Sequence, residues 1–146
     1  MAQALARVSA AGLTNIRLHQ GDAREVLERL PAAALDVVYV LYPDPWPKKR
    51  HWKRRFIGSD TVPALAHVLK PGGLLRIASD IPDYIAWCLV HLARDPAFLW
   101  AAETPSDWRT PPQDWPGTRY EAKALKAGRV PTYLDFRRQP GGGKCT

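Results

Sequence analysis

The spacing of apolar positions changes several times along the chain, and each change marks an element. Residues 2–11 are rich in alanine and predict a helix that ends at Gly12. Residues 15–19 make a short strand candidate, and residues 23–30 a helix with Val26, Leu27 and Leu30 on one face before Pro31. Next comes an almost unbroken apolar run, Leu35-Asp36-Val37-Val38-Tyr39-Val40-Leu41. A run this short, with β-branched and aromatic residues, predicts a strand over 35–42 buried on both faces of a parallel sheet. Val62, Leu65, Ala66 and Leu69 recur at helical spacing over 60–69. Ser59 or Asp60 can cap that helix, Pro63 fits only its first turn, and Lys70-Pro71-Gly72-Gly73 stops it. A strand follows at 74–78, then a helix at 82–94 that buries Ile85, Cys88, Leu89 and Leu92, and a strand at 97–102. Residues 104–117 form a loop rich in Pro and Trp, 119–127 a short helix, 130–137 a last strand, and 138–146 a flexible tail.

Strands that alternate with helices predict an α/β fold with a largely parallel sheet. A chain of 146 residues fits a single domain, here over 1–137. No apolar stretch reaches the length of a membrane span, and the N-terminus is too polar for a secretion signal. Cys88 and Cys145 lack metal-type spacing, so reduced thiols, a cytoplasmic location and no metal are expected.

Charge changes this picture at one place. The net charge is +7, and six of the 21 basic residues fall within one octet: Lys48, Lys49, Arg50, Lys53, Arg54 and Arg55. Trp46, His51 and Trp52 interrupt this run. Cations can meet phosphates while aromatic planes stack on unpaired bases, so the segment favours RNA over a merely solvated face. Just before it, Asp44 sits past the carboxyl end of strand 35–42, where open α/β sheets bind ligands. Pro43 and Pro45 restrict the backbone on both sides, which favours a rigid site over a simple turn. Asp80, after strand 74–78, reads either as a ligand contact or as the cap of helix 82–94, and Asp22 has the same two readings before helix 23–30. Thr118 and Glu121 have capping-box spacing. His67 and His91 fall within helices and read as packing or surface residues, and Trp87, Trp100, Trp108 and Trp115 as core or loop anchors.

The stretch PDPWPKKRHWKRR resembles the signature of the tRNA (guanine-N7-)-methyltransferases, which use S-adenosylmethionine. Ala78-Ser79-Asp80, Thr118-Arg119-Tyr120-Glu121 and Gly21-Asp22-Ala23 are similar to shorter segments of that family, and the resemblance covers about residues 10–137. It implies a Rossmann-like class I methyltransferase sheet with an antiparallel ending. It gives Asp44 a catalytic place beside the cofactor and puts Asp22 near the cofactor's adenine end. It places Lys48, Asp80, Thr118, Arg119, Tyr120 and Glu121 at the substrate, and Arg50, His51, Trp52, Lys53, Arg54 and Arg55 on the RNA. The implied partner is tRNA, and the implied target is N7 of its variable-loop guanine.

The chain departs from the family in one respect. No glycine opens a helix after a strand as a Gly-x-Gly-x-x-Gly turn would, and no acidic residue follows a second strand to hold the ribose. The resemblance then implies an N-terminally truncated domain with an incomplete sheet. Two rival readings stay open: a non-catalytic RNA-binding remnant, and a methyltransferase acting on another base or an amino group.

Overall fold

The structure, a computed structural model, describes residues 1–141. Cys145 and most of the predicted tail lie outside the described residues. The chain divides into two compact units, Met1–Leu30 and Pro31–Thr146.

The first unit holds two helices, α1 (Ala2–Ala10) and α2 (Ala23–Arg29). After α1, Gly12 takes φ +64°, and the Leu13 N–H reaches back to the Val8 carbonyl. This left-handed glycine ends the helix where the sequence predicts. The strand expected at 15–19 does not form. A strand needs a neighbouring ladder, and the described residues of this unit contain no strand to pair with it. Asp22 caps α2, its Oδ1 accepting from the Arg24 N–H at 3.0 Å.

The second unit is built on a four-stranded sheet: β1 (Leu35–Leu41), β2 (Leu69–Ser79), β3 (Phe98–Trp100) and β4 (Thr132–Arg138), in the order β1-β2-β4-β3. β1 and β2 are parallel, and β4 runs antiparallel to both β2 and β3. The parallel start and antiparallel ending agree with the implied class. Helices α3 (Thr61–Val68) and α4 (Pro82–Ala93) lie against β2, and α4 also reaches β3. The core contains Leu65, Leu75, Ile77, Tyr84, Cys88, Leu92, Leu134 and Phe136, all at most 1% exposed. His67 lies in α3, while Trp87 and His91 lie in α4.

Several expectations are corrected here. β1 is not buried on both faces: Val37, Tyr39 and Leu41, which share one face, are 39–49% exposed while Val40 on the other face is buried, and β1 is also an edge strand of the sheet. Lys70-Pro71-Gly72-Gly73 is not a gap between elements. It bulges from within β2, so that Leu35 pairs with Leu69 but Val37 pairs with Leu74. Gly73 permits this, since a Cβ there would lie 2.8 Å from the Lys70 carbonyl oxygen and 3.1 Å from that of Asp36. The loop at 104–117 contains a short helix, α5 (Ser106–Arg109), and a final helix, α6 (Arg119–Lys126), precedes β4. Trp100 is 38% exposed on the edge strand β3 rather than packed in the core.

Candidate functional site

Because β1 and β2 are parallel, their carboxyl ends meet at one edge of the sheet. Leu41 pairs with Ala78, and the Tyr42 N–H donates to the Ala78 carbonyl at 2.8 Å. Asp44 and Asp80 follow these two strand ends directly. β4 begins at the same edge, where Thr132 pairs with Ser79. Its Tyr133 binds Glu121 of α6. The topology thus gathers residues 42–46, Asp80, α6 and Tyr133 from segments far apart in sequence.

The turn that carries Asp44 is held in an uncommon conformation. Tyr42 (φ +49°) and Trp46 (φ +42°) both occupy the left-handed region, where non-glycine residues rarely sit unless their surroundings hold them. Arg55 supplies much of that hold. Its Nε donates to the Pro45 carbonyl at 2.8 Å and its Nη2 to the Trp46 carbonyl at 3.4 Å. The guanidinium also pairs with Asp83 and lies over Trp52 and Trp87, 4.9 Å from each ring centre. Asp44 itself is exposed and makes no hydrogen bond or ion pair with another described residue. Its carboxylate is therefore open to a ligand.

The basic segment divides into two faces. Residues Lys49–Arg54 form a 3₁₀ helix, on which Lys49, Arg50, Lys53 and Arg54 are exposed, as is Lys48 just before it. Arg54 lies 4.9 Å from the Trp46 ring centre, His51 meets that ring edge-on at 5.7 Å, and Arg50 Nε contacts His51 Nε2 at 3.3 Å. Two residues assigned to RNA from the sequence face inward instead. Arg55 is 2% exposed, so it clamps the loop and is withdrawn from phosphate contact. Trp52 is half-buried edge-to-face against Trp87, 5.3 Å between centres, and serves as part of that clamp rather than as a free platform.

On α6, Thr118 and Glu121 form the predicted capping box. The Glu121 carboxylate also accepts from Trp115 Nε1 and from the Tyr133 hydroxyl, each at 2.6 Å. Burial opposes its charge, but the donors from Tyr133, Trp115 and the Thr118 N–H outweigh that and hold its pKa below the ordinary glutamate value. Arg119 is exposed, as is Tyr120 at 63%, and Tyr120 stacks on Tyr42 with 6.1 Å between centres. The Tyr42 hydroxyl is buried without a hydrogen-bond partner; Thr118 faces it outside hydrogen-bond geometry. Burial first, then the charges of Glu121 and Asp80, push its pKa up to about 12, so it stays a donor at neutral pH.

Asp80 does not cap α4; the cap is Ile81, with no side-chain bond. Its Oδ2 instead accepts from Arg129 Nε at 2.5 Å. Tyr42, Arg129 and Tyr133 are members of this cluster that the sequence does not single out. Their partners lie on other elements, and only the aromatic at 42 carried any signal, from its place at a strand end.

Asp22 belongs to the first unit, where its carboxylate takes both the Arg24 N–H and the Arg24 guanidinium. No group of His, Cys, Asp or Glu that could hold a metal occurs among the described residues, and none of their helices is long and apolar enough to cross a membrane.

Residues 1–133 match a family described as "Putative methyltransferase". A tRNA (guanine-N(7)-)-methyltransferase of Azorhizobium caulinodans is 54% identical over 94% of this chain and 60% of its own length. The corresponding protein of Rhizobium meliloti is 52% identical over the same shares, and that of Rhodospirillum rubrum is 51% identical over 94% of this chain and 54% of its own. The chain therefore spans about 60% of the length of the first of these relatives. Among solved structures, a protein described as a DNA modification methylase from Thermus thermophilus covers 89% of this chain and is itself covered over 57%, with a TM-score of 0.53 and 24% identity. The [4+2]-cyclase SpnF covers 96%, is covered over 62%, and gives a TM-score of 0.54 at 12% identity. Both likenesses are of fold alone, and they agree with an α/β sheet. On the match over residues 1–133, the chain belongs to this methyltransferase family, beside tRNA (guanine-N(7)-)-methyltransferases that share half of its residues.

Proposed function

We propose that this chain carries the base-positioning and RNA-binding part of a tRNA (guanine-N7) methyltransferase that uses S-adenosylmethionine and acts on the variable-loop guanine in the cytoplasm. The observation that supports this most is Asp44. It is an exposed carboxylate without a partner among the described residues, held between two left-handed residues at a strand end, immediately before an exposed cationic 3₁₀ helix.

The chemistry suits such a site. N7 of guanine has a free lone pair, so methylation there needs no base to remove a proton. The purine gains positive charge as the bond forms. A fixed carboxylate beside the ring stabilises that charge, and alignment supplies the rest. In this reading Asp44 faces the reacting base. Asp80, Thr118 and Glu121 receive its polar edge, with Tyr120 beside them. Lys48, Arg50, Lys53 and Arg54 meet phosphates, and His51 with Trp46 offers ring surface.

The residues present do not by themselves fit S-adenosylmethionine. Asp22 is occupied by Arg24, and the chain has no glycine-rich turn between a strand and a helix. Calorimetry of this chain with S-adenosylmethionine should show weak binding or none, while a tRNA transcript should bind. The deciding experiment uses the chain joined to the residues that the Azorhizobium caulinodans relative carries outside the matched region. That protein, given transcript and S-adenosylmethionine, should methylate N7 of one variable-loop guanine, mapped by cleavage at the modified nucleotide. Methylation of another base would favour a different substrate. tRNA binding without any methylation would favour an RNA-binding remnant.

A further inference from the structure

We propose that Arg129 is a further substrate-binding residue, taking a backbone phosphate of the nucleotide whose base meets Asp80. The inference rests on the reading of this sheet edge as the base site.

The position of Arg129 is set by its own helix. Gly128, at φ +74°, ends α6 in the left-handed conformation, and the Arg129 N–H returns to the Ala124 carbonyl at 2.9 Å. This fixed backbone brings the guanidinium to Asp80, forty-nine residues earlier in the chain. The pair is asymmetric: the Asp80 side chain is 12% exposed, while that of Arg129 is 50% exposed. Arg129 therefore holds a nearly buried carboxylate while half of its own side chain stays open to solvent.

Arginine has five N–H donors in a planar fork. Here only Nε is engaged; the two terminal amino groups of Arg129 have no partner among the described residues. That free edge matches two phosphate oxygens, which a guanidinium binds in bidentate fashion. Asp80 uses Oδ2 on Arg129 and keeps Oδ1 for a donor on the base. Exposed Arg119, Lys123 and Lys126 on α6 add positive charge nearby. Arg129 thus links two recognition events, orienting Asp80 with one side and receiving phosphate with the other. A site so built selects a nucleotide within a strand over a free base.

The test measures tRNA affinity of the full chain by fluorescence anisotropy over a series of KCl concentrations. Arg129→Gln should reduce the log–log salt slope by about 0.7 to 0.9, the value of one lost phosphate contact. An Arg129→Gln slope equal to that of the parent overturns the proposal, leaving Arg129 only to orient Asp80. A second measurement needs no substitution. The Nε–H resonance of Arg129 should shift on addition of guanosine 5′-monophosphate and much less with guanosine; equal responses overturn the proposal as well. If the parent chain binds no tRNA at low salt, the RNA reading falls and this inference falls with it. If the parent binds and only the Arg129 results are negative, this inference falls alone.

Discussion

Arg55 donates from Nε to the carbonyl of Pro45 at 2.8 Å, tying the end of the basic segment back to the turn that presents Asp44. The most basic stretch of the chain therefore contains its own brace. The same arginine lies against both Trp52 and Trp87, and Trp87 Nε1 donates to the Ile57 carbonyl at 2.6 Å. A buried guanidinium with two carbonyl acceptors and two aromatic faces holds a strained loop in a way that a lysine, lacking the planar fork, does not reproduce.

Arg55→Ala should accordingly lower unfolding stability by about 2–4 kcal/mol, through lost packing and two carbonyls left without a donor. Arg55→Lys should recover only part of that. Urea denaturation followed by tryptophan fluorescence measures both. If Arg55→Ala unfolds at the parent midpoint, the side chain is not the brace described.

Asp44 presents the opposite case. It is exposed and bonds no other described residue, so Asp44→Asn should leave the urea midpoint and tRNA affinity nearly unchanged. In the extended protein the same change should slow methylation by about 10²–10³, the cost typical of removing one group aimed at charge that develops in the transition state. Single-turnover kinetics decide this. Methylation at the parent rate would reduce Asp44 to a turn residue.

Glu121 gives a pH dependence. Its pKa is held below the ordinary value of 4.5, so the folded state favours the charged form. That contribution is fully present above pH 4.5 and is lost as pH falls through the depressed folded-state value. Glu121→Gln should thus be less stable than the parent at pH 7, with the gap narrowing as pH drops below 4.5. Urea midpoints of the two proteins between pH 3 and pH 7 provide the comparison, and a gap independent of pH would show that the charge is not involved.

Cys88 should be chemically silent while the protein is folded. It is fully buried on α4, and burial, opposed by Tyr84 and Arg55, pushes its thiol up to about 12. At pH 8 iodoacetamide should modify the peptide containing Cys88 only after denaturant is added, as read by mass spectrometry. Rapid labelling of the native chain would mean that α4 opens readily.

The elements that follow from local chemistry were legible in the linear pattern. Helices α1, α2, α3, α4 and α6 lie within one or two residues of where apolar spacing, Gly12, Pro31 and the Thr118–Glu121 box place them. Each depends on residues within a few positions of one another, so a linear pattern records them. The long motif from Pro43 to Arg55 was equally legible as a family resemblance, and the placement of Asp44 at a strand end was legible too. What the linear pattern could not supply was pairing. Residues 15–19 look like a strand but form none, and β1 looks buried but stands at an edge, because strand formation and burial depend on neighbours the pattern does not contain. Only the tertiary structure turned Arg55 inward, joined Tyr133 to Glu121 and set Arg129 on Asp80. These contacts span 10, 12 and 49 residues. A charged or phenolic side chain carries no local mark of the partner it will meet, so its role is fixed when the strands and helices bring the two groups together.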